Sequence, residues 1–275
     1  MIEFIIHSLI ITGGLGLVFG LGLALFSQKF KVEEDPRLEL IQNLLPGANC
    51  GACGYPGCRQ LAEAILRGEL VPEKCTVGGN KVVAEIGNLL GIEVSQVKPG
   101  IACIICQGDE ARASRRAEYY GINTCNAASQ ISGGFKQCFY GCLGLADCVK
   151  VCPFDALRMS LDNLPLVDES KCTACGLCVK ACPRKIIDIF PRDNPVIISC
   201  VSPQKGPEVR KACQVGCIKC GICVKNCPQG AIHLEPSLGN LAVIDYTLCN
   251  NCGVCVEKCP TKCIVNYTTV HVHAG

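Results

Sequence analysis

Three stretches of the chain repeat one spacing of cysteines: Cys172, Cys175, Cys178 and Cys182-Pro183; Cys217, Cys220, Cys223 and Cys227-Pro228; Cys249, Cys252, Cys255 and Cys259-Pro260. Each reads C-x2-C-x2-C-x3-C-P, a run suited to [4Fe-4S] binding, in which three thiolates wrap one cube and the fourth belongs to its neighbour. Proline after the fourth cysteine stops the local turn from continuing as helix. Zinc is the competing metal and fits poorly, because zinc ribbons and fingers separate their ligand pairs by a longer loop.

A fourth run, Cys138-x3-Cys142-x5-Cys148-x3-Cys152-Pro153, carries Leu145 where the later repeat has Cys220. Cys138 is the expected replacement ligand. Crossed pairing then predicts one cluster on Cys138, Cys142, Cys148 and Cys182, and a second on Cys172, Cys175, Cys178 and Cys152. A third falls on Cys217, Cys220, Cys223 and Cys259, and a fourth on Cys249, Cys252, Cys255 and Cys227. A fifth set is Cys50-x2-Cys53-x4-Cys58-x16-Cys75, where glycines beside the ligands let the backbone curl around a cluster and turn N–H groups toward it. Zinc competes more strongly here, since this spacing is less specific. Cys103, Cys106, Cys125, Cys200, Cys213 and Cys263 remain. A sixth cluster is expected on Cys106, Cys125, Cys200 and Cys213, with Cys213 and Cys220 able to exchange roles. Cys103 and Cys263 are left as spares, and the competing reading makes some of the six simply small buried hydrophobes.

The elements that must carry these ligands repeat too. Cys125, Cys138, Cys142, Cys148 and Cys152 recur 75 residues on, and Cys172, Cys175, Cys178 and Cys182 recur 77 residues on. Such offsets mark a tandem duplication. The predicted fold class is α+β: a single N-terminal transmembrane helix, a small mostly helical 4Fe-4S domain, then tandem bacterial-type two-cluster ferredoxin folds. The boundaries read as anchor 1–28, N-terminal cluster domain 29–98, cysteine-containing connector 99–135, ferredoxin-like pair 136–190, connector 191–212 and second pair 213–275. Helices are expected near 59–67 and 80–90, and short strands in KIIDIF after Cys182 and AIHL after Cys227.

Residues 4–26 are apolar, with His7 their only ionisable group, and match the ~20 residues that span a bilayer. A secretory signal would open with positive charge and a core of ~7–15 residues, whereas the charge here is Glu3, and Lys29 and Lys31 follow the stretch. Basic flanks stay in the cytoplasm. The cysteine-rich region is therefore expected there, single-pass anchored to the inner or plasma membrane. In that reducing compartment all 26 cysteines favour metal over disulfides. Gly16 and Gly20 form a GxxxG pair that would suit a partner helix. With no Trp and 5% aromatic residues, the chain lacks the large side chains of a conventional core, and cluster ligation is expected to replace them.

Net charge is +2, and no basic tract interleaved with aromatics points to nucleic acid. There is no Gly-rich phosphate loop of the Rossmann or Walker type and no catalytic constellation. His233, His271 and His273 lie outside metal-ligand spacing, the last two as tail residues.

The anchor helix, EEDPR at 33–37, LLPGANCGACGYPGC at 44–58 with Cys75, and the ferredoxin runs together resemble the B subunit of the Rnf complex over essentially the full chain. Two ferredoxin pairs and the extra Cys106 and Cys125 match its longer forms, typical of anaerobes. The resemblance implies Cys50, Cys53, Cys58 and Cys75 as ligands. It implies an electron-transfer subunit of a translocase that couples ferredoxin:NAD oxidoreduction to Na+ or H+ transport. The implied partners are soluble ferredoxin, the integral membrane subunits, and flavin- or NAD-binding subunits of the same complex. Two other readings compete: a polyferredoxin of a hydrogenase or heterodisulfide reductase system, and a metal-stabilised assembly scaffold. Electrons are expected to enter at the tandem region, with Lys171, Lys180, Arg184 and Lys185 as a candidate dock, and to leave through the N-terminal cluster.

Overall fold

The computed structural model describes residues 2–29 and 35–267. Lys31, Glu33, Glu34, His271 and His273 lie outside them. Helix α1 (Ile2–Lys29) is long and apolar enough to cross a membrane, and none of its most apolar stretch is covered by the rest of the chain. The polar Thr12 is satisfied within the helix, its Oγ1 donating to Ser8 O at 2.7 Å, as a lipid-facing segment requires.

Three helices then make a small domain. Asp35 caps α2 (Pro36–Leu44), its Oδ1 accepting from the Arg37 N–H at 2.9 Å, with proline in the first turn. Helices α3 (Cys58–Leu66) and α4 (Gly79–Leu90) follow, α4 ending on Gly91 at φ 66°. Apolar residues at helical spacing, Leu38, Ile41, Leu61, Ile65 and Ile86, close over Cys75.

Two ferredoxin units follow, each with two antiparallel two-stranded sheets. The first comprises β1 (Gly100–Ile104), α5 (Cys125–Gln130), α6 (Asp147–Lys150), β2 (Leu157–Met159), β3 (Pro165–Val167), α7 (Leu177–Ala181) and β4 (Ile187–Pro191). The second comprises β5 (Val196–Ile198), α8 (Gly206–Ala212), α9 (Ile222–Asn226), β6 (Ile232–Glu235), β7 (Leu241–Ile244), α10 (Val254–Lys258) and β8 (Ile264–Asn266). β1 pairs with β4 and β2 with β3; β5 pairs with β8 and β6 with β7.

The two segments read from spacing as connectors carry structure of their own. The segments 99–135 and 191–212 are not plain connectors, for each sequence neighbourhood supplies its unit's first strand, β1 and β5. Their partners lie far along the chain, where local pattern gives no sign of the pairing.

The units share packing. On β5 and β8, Val196, Ile198 and Ile264 face their own unit, while Ile197, Val265 and the adjacent Tyr267 pack into the core of the first. This is the period of two of a strand buried on both faces. Tyr267 fastens the junction: its hydroxyl donates to Ala102 O at 3.2 Å and accepts from the Ile104 N–H at 3.3 Å.

Candidate iron-sulfur sites

The backbone of the ferredoxin runs shows why the spacing works. In each run the residues flanking the second cysteine are left-handed: Ala174 and Gly176 around Cys175, Lys219 and Gly221 around Cys220, Asn251 and Gly253 around Cys252. Paired left-handed residues curl the chain so that three thiols face one side, and a short helix then carries the third thiol away. The fourth run keeps this curl although its middle ligand is missing, with Gly144 at φ 76° and Ala146 at φ 63° around Leu145.

The N-terminal cavity is lined by Cys50, Cys53, Cys58 and Cys75. Asn49, itself at φ 46°, accepts the Cys58 N–H on Oδ1 at 2.8 Å and so anchors the start of α3 at the cavity wall. A Cβ on Gly57 would stand 2.8 Å from Gln60 Oε1 and 3.0 Å from Asn49 Oδ1, so both side chains would have to give way. Burial, with Cys58, Cys53 and Cys50 adding to it, pushes the Cys75 thiol up.

In the first ferredoxin unit the thiols divide in two. Cys175, Cys172 and Cys152 surround Cys178, which burial and these neighbours push up to about 12. The Ala102 N–H donates to Cys172 Sγ at 3.5 Å, and Arg192 Nη2 holds the Cys172 carbonyl at 2.7 Å. The other cavity is lined by Cys125, Cys142, Cys148 and Cys182. Burial, then Cys125 and Cys182, push Cys148 up to about 12. In the second unit Cys217, Cys220 and Cys259 surround Cys223, which burial and these thiols push up to about 11. Cys227, Cys249, Cys252 and Cys255 line the last cavity of that unit.

A further thiol-lined cavity lies between the units, walled by Cys106, Cys138, Cys200 and Cys213. The geometry therefore exchanges Cys125 and Cys138 relative to the spacing-based grouping. Cys125, expected beside Cys106, Cys200 and Cys213, sits instead with Cys142, Cys148 and Cys182; Cys138 takes its place between the units. The reason is an unequal insertion. Cys106 follows β1 at the same distance as Cys200 follows β5, but 31 residues separate Cys106 from Cys138 and 12 separate Cys200 from Cys213. The longer insertion carries α5, which Thr124 caps by accepting the Ala127 N–H at 3.2 Å, and brings Cys125 against Leu145. Cys125 thus lines the cavity of Cys142, Cys148 and Cys182, where Leu145 offers no thiol. The parallel between IACIIC at 101–106 and VIISC at 196–200 was the signal for this alignment.

Cys103 and Cys263, left over by spacing, are both buried. Cys103 sits in β1 near Tyr267, and burial pushes it up to about 12. The Cys263 N–H donates to Cys259 Sγ at 3.3 Å. Its thiol donates to Cys200 and Cys217, drawing them down to about 7 and about 6. Of the candidate dock, Arg184 turns inward to the Phe139 and Gly133 carbonyls, Lys171 lies 3.9 Å from Asp168, and Lys180 and Lys185 are exposed.

The donor chemistry fits iron-sulfur cubes. Backbone N–H groups aim at sulfur around several cavities, as a bound thiolate needs. Among the described residues no three His, Cys, Asp or Glu side chains close in around a single-ion position.

Comparison with known proteins gives the same answer. An Fe-S cluster family matches residues 45–77, a 4Fe-4S binding domain 165–188 and a 4Fe-4S dicluster domain 216–263. The B subunit of the Na(+)-translocating ferredoxin:NAD(+) oxidoreductase complex of Acetobacterium woodii is 46% identical over 264 residues, covering 96% of this chain and 78% of that protein. The chain belongs to the Rnf B-subunit family. The B subunit of the proton-translocating ferredoxin:NAD(+) oxidoreductase complex of Clostridium ljungdahlii is 43% identical, with 89% of this chain and 86% of that one covered. The B subunit of the ion-translocating oxidoreductase complex of Serratia proteamaculans is 36% identical over 52% of this chain and 62% of its own. As an Rnf-type B subunit with iron-sulfur domains and an apolar N-terminal helix, the chain is a membrane-associated component of a multi-subunit complex, without a complete catalytic site of its own.

Proposed function

We propose that this protein carries electrons in single file through six [4Fe-4S] clusters, from a soluble ferredoxin to the membrane and flavin- or NAD-binding subunits of its complex. Each bound cluster supplies one-electron transfer; the chain supplies order. The observation that carries this reading is the adjacency of the six thiol sets. Cys50 of the N-terminal set lies near Cys175. Cys178 of that second set lies near Cys148 of the Cys125 set. Cys142 of the Cys125 set donates its N–H to Cys106 Sγ at 3.4 Å. In the mirrored arrangement, the Cys217 N–H donates to Cys200. The crossed ferredoxin pairing joins the Cys217 set to the last.

The two ends differ in a way that supports a direction. Cys220 and Cys252, in the terminal unit, are exposed, while every other cysteine is buried or half-buried. A carrier docking there meets ligands at the surface. The N-terminal set follows the end of α1 at Lys29 closely, so it is tethered near the bilayer. Lys29 at that end supports a cytoplasmic, single-pass orientation.

Cys53→Ala in the intact complex, followed by stopped-flow spectroscopy, tests the order. Ferredoxin should still reduce the C-terminal clusters quickly while delivery to the membrane partners fails. Loss of the first fast phase, with the C-terminal clusters intact by EPR, would reverse the direction.

A further inference from the structure

Among the described residues the buried polar side chains are Asp109, Lys136, Ser199 and Ser202. Asp109 has its counter-charge in Arg112 at 3.1 Å. Lys136 is 1% exposed, and its Nζ donates to the Gly108 carbonyl at 2.8 Å. Among the described residues it forms no ion pair; Glu110, which feels its charge, is held by Arg115. An ammonium buried with a carbonyl and no anion is costly. Something negative must compensate it.

The surroundings of Lys136 name the anion. Gly108, whose carbonyl takes the ammonium, turns its own N–H to Cys106 Sγ at 3.4 Å. Cys138 is two residues on. A Cβ on Gly108 would stand 3.4 Å from Cys213 Sγ and 3.6 Å from Cys106 Sγ, so the carbonyl that holds the ammonium belongs to the wall of that site. Cys142 of the adjoining Cys125 set, whose thiol feels the Lys136 charge, donates its N–H to the same Cys106 sulfur. The second unit places Lys211 two residues before Cys213, as Lys136 stands before Cys138, yet Lys211 is exposed. The halves of the shared site match in thiols and differ in buried charge.

We propose that Lys136 is the built-in counter-ion of the cluster held by Cys106, Cys138, Cys200 and Cys213, and that it raises the reduction potential of that cluster. The inference rests on the reading that those four thiols hold a cluster. Four thiolates make the group negative, and one-electron reduction adds a charge without making or breaking a bond. A buried cation therefore favours the reduced form more than the oxidised one. The link between the two ferredoxin units becomes a place where an electron rests.

The test uses the full chain in detergent, purified anaerobically, with iron content and an EPR-monitored redox titration for Lys136→Met, Lys136→Arg and Lys211→Met. Lys136→Met should keep its iron and move one cluster's reduction equilibrium at least tenfold toward the oxidised form, about 59 mV for a one-electron couple. Lys136→Arg and Lys211→Met should leave every midpoint near its original value. Full iron with unchanged midpoints in Lys136→Met overturns the proposal and leaves the cluster standing. If Lys136→Met instead loses a cluster, retention in Lys136→Arg supports the need for a cation, and loss in both makes the residue one of packing and overturns it. Cys106→Ala with undiminished iron would defeat the underlying site reading instead.

Discussion

Counting iron reads out the exchange of Cys125 and Cys138. Cys106 and Cys138 line one cavity, while Cys125 lines another with Cys142, Cys148 and Cys182. From a starting load of about 24 irons, Cys106→Ala and Cys138→Ala each remove one cluster, about four irons. Combined, they still remove about four, because both thiols serve one cube. Cys106→Ala with Cys125→Ala strikes two sites and removes about eight. Spacing alone gives the opposite pair of numbers, so the two double variants separate the readings by a whole cluster each. A repair follows from the backbone. Gly144 at φ 76° and Ala146 at φ 63° hold Leu145 in the curl that presents Cys175, Cys220 and Cys252. Leu145→Cys placed on Cys125→Ala should recover about four irons. The assay is iron and acid-labile sulfide per chain after anaerobic purification, with EPR spin integration. A loss of about eight irons in the Cys106/Cys138 variant, with about four in the Cys106/Cys125 variant, would refute the structural grouping.

Tyr267→Phe removes the hydroxyl that bridges Ala102 and Ile104; it should cost about 1–2 kcal/mol and leave two buried backbone groups unmatched, measured as a drop in melting temperature of the loaded protein. Asn49→Ala frees the Cys58 N–H and should cost about 1 kcal/mol, with the N-terminal cluster the first lost on mild chelation. In the cluster-free chain, Cys106, Cys148 and Cys178 are pushed up to about 12, chiefly by burial. Their folded-state values lie above the unfolded one near ~8.5, so their stabilisation is full below that pH and is lost as pH rises toward 12, by about 1 kcal/mol per thiol per pH unit. Melting of the cluster-free chain between pH 7 and 10 checks the sign. The loaded chain should behave in the opposite sense, losing clusters on acidification, because its thiolates must stay deprotonated.

The three C-x2-C-x2-C runs and the Cys50 set were legible because three of their cysteines lie within one short loop, and the strands after Cys182 and Cys227 because they directly follow those loops. The helix stops at Gly91 and at Gly68, just past α3, were legible for the same local reason. β1 and β5 were not, since each pairs with a strand on the far side of its unit, and an apolar stretch such as IACIIC carries no mark of its partner. The grouping of Cys125 and Cys138 by spacing differs from their grouping in the structure because spacing relies on a constant offset. The offset of 75 aligns Cys125 with Cys200, whereas strand register aligns Cys106 with Cys200. An insertion breaks arithmetic along the chain without disturbing symmetry in space. Lys136 gave no sequence signal, since a lysine beside a cysteine reads as surface until its burial is seen.

The exposure of Cys220 and Cys252 sets the order in which air would harm this molecule. Dioxygen and peroxide reach surface thiolates before enclosed ones, so the terminal unit is attacked first. On the proposed order of flow, that damage would stop the current where it enters while the more enclosed sites stay protected. The outermost unit then works as a fuse, the part that fails first and isolates the remainder.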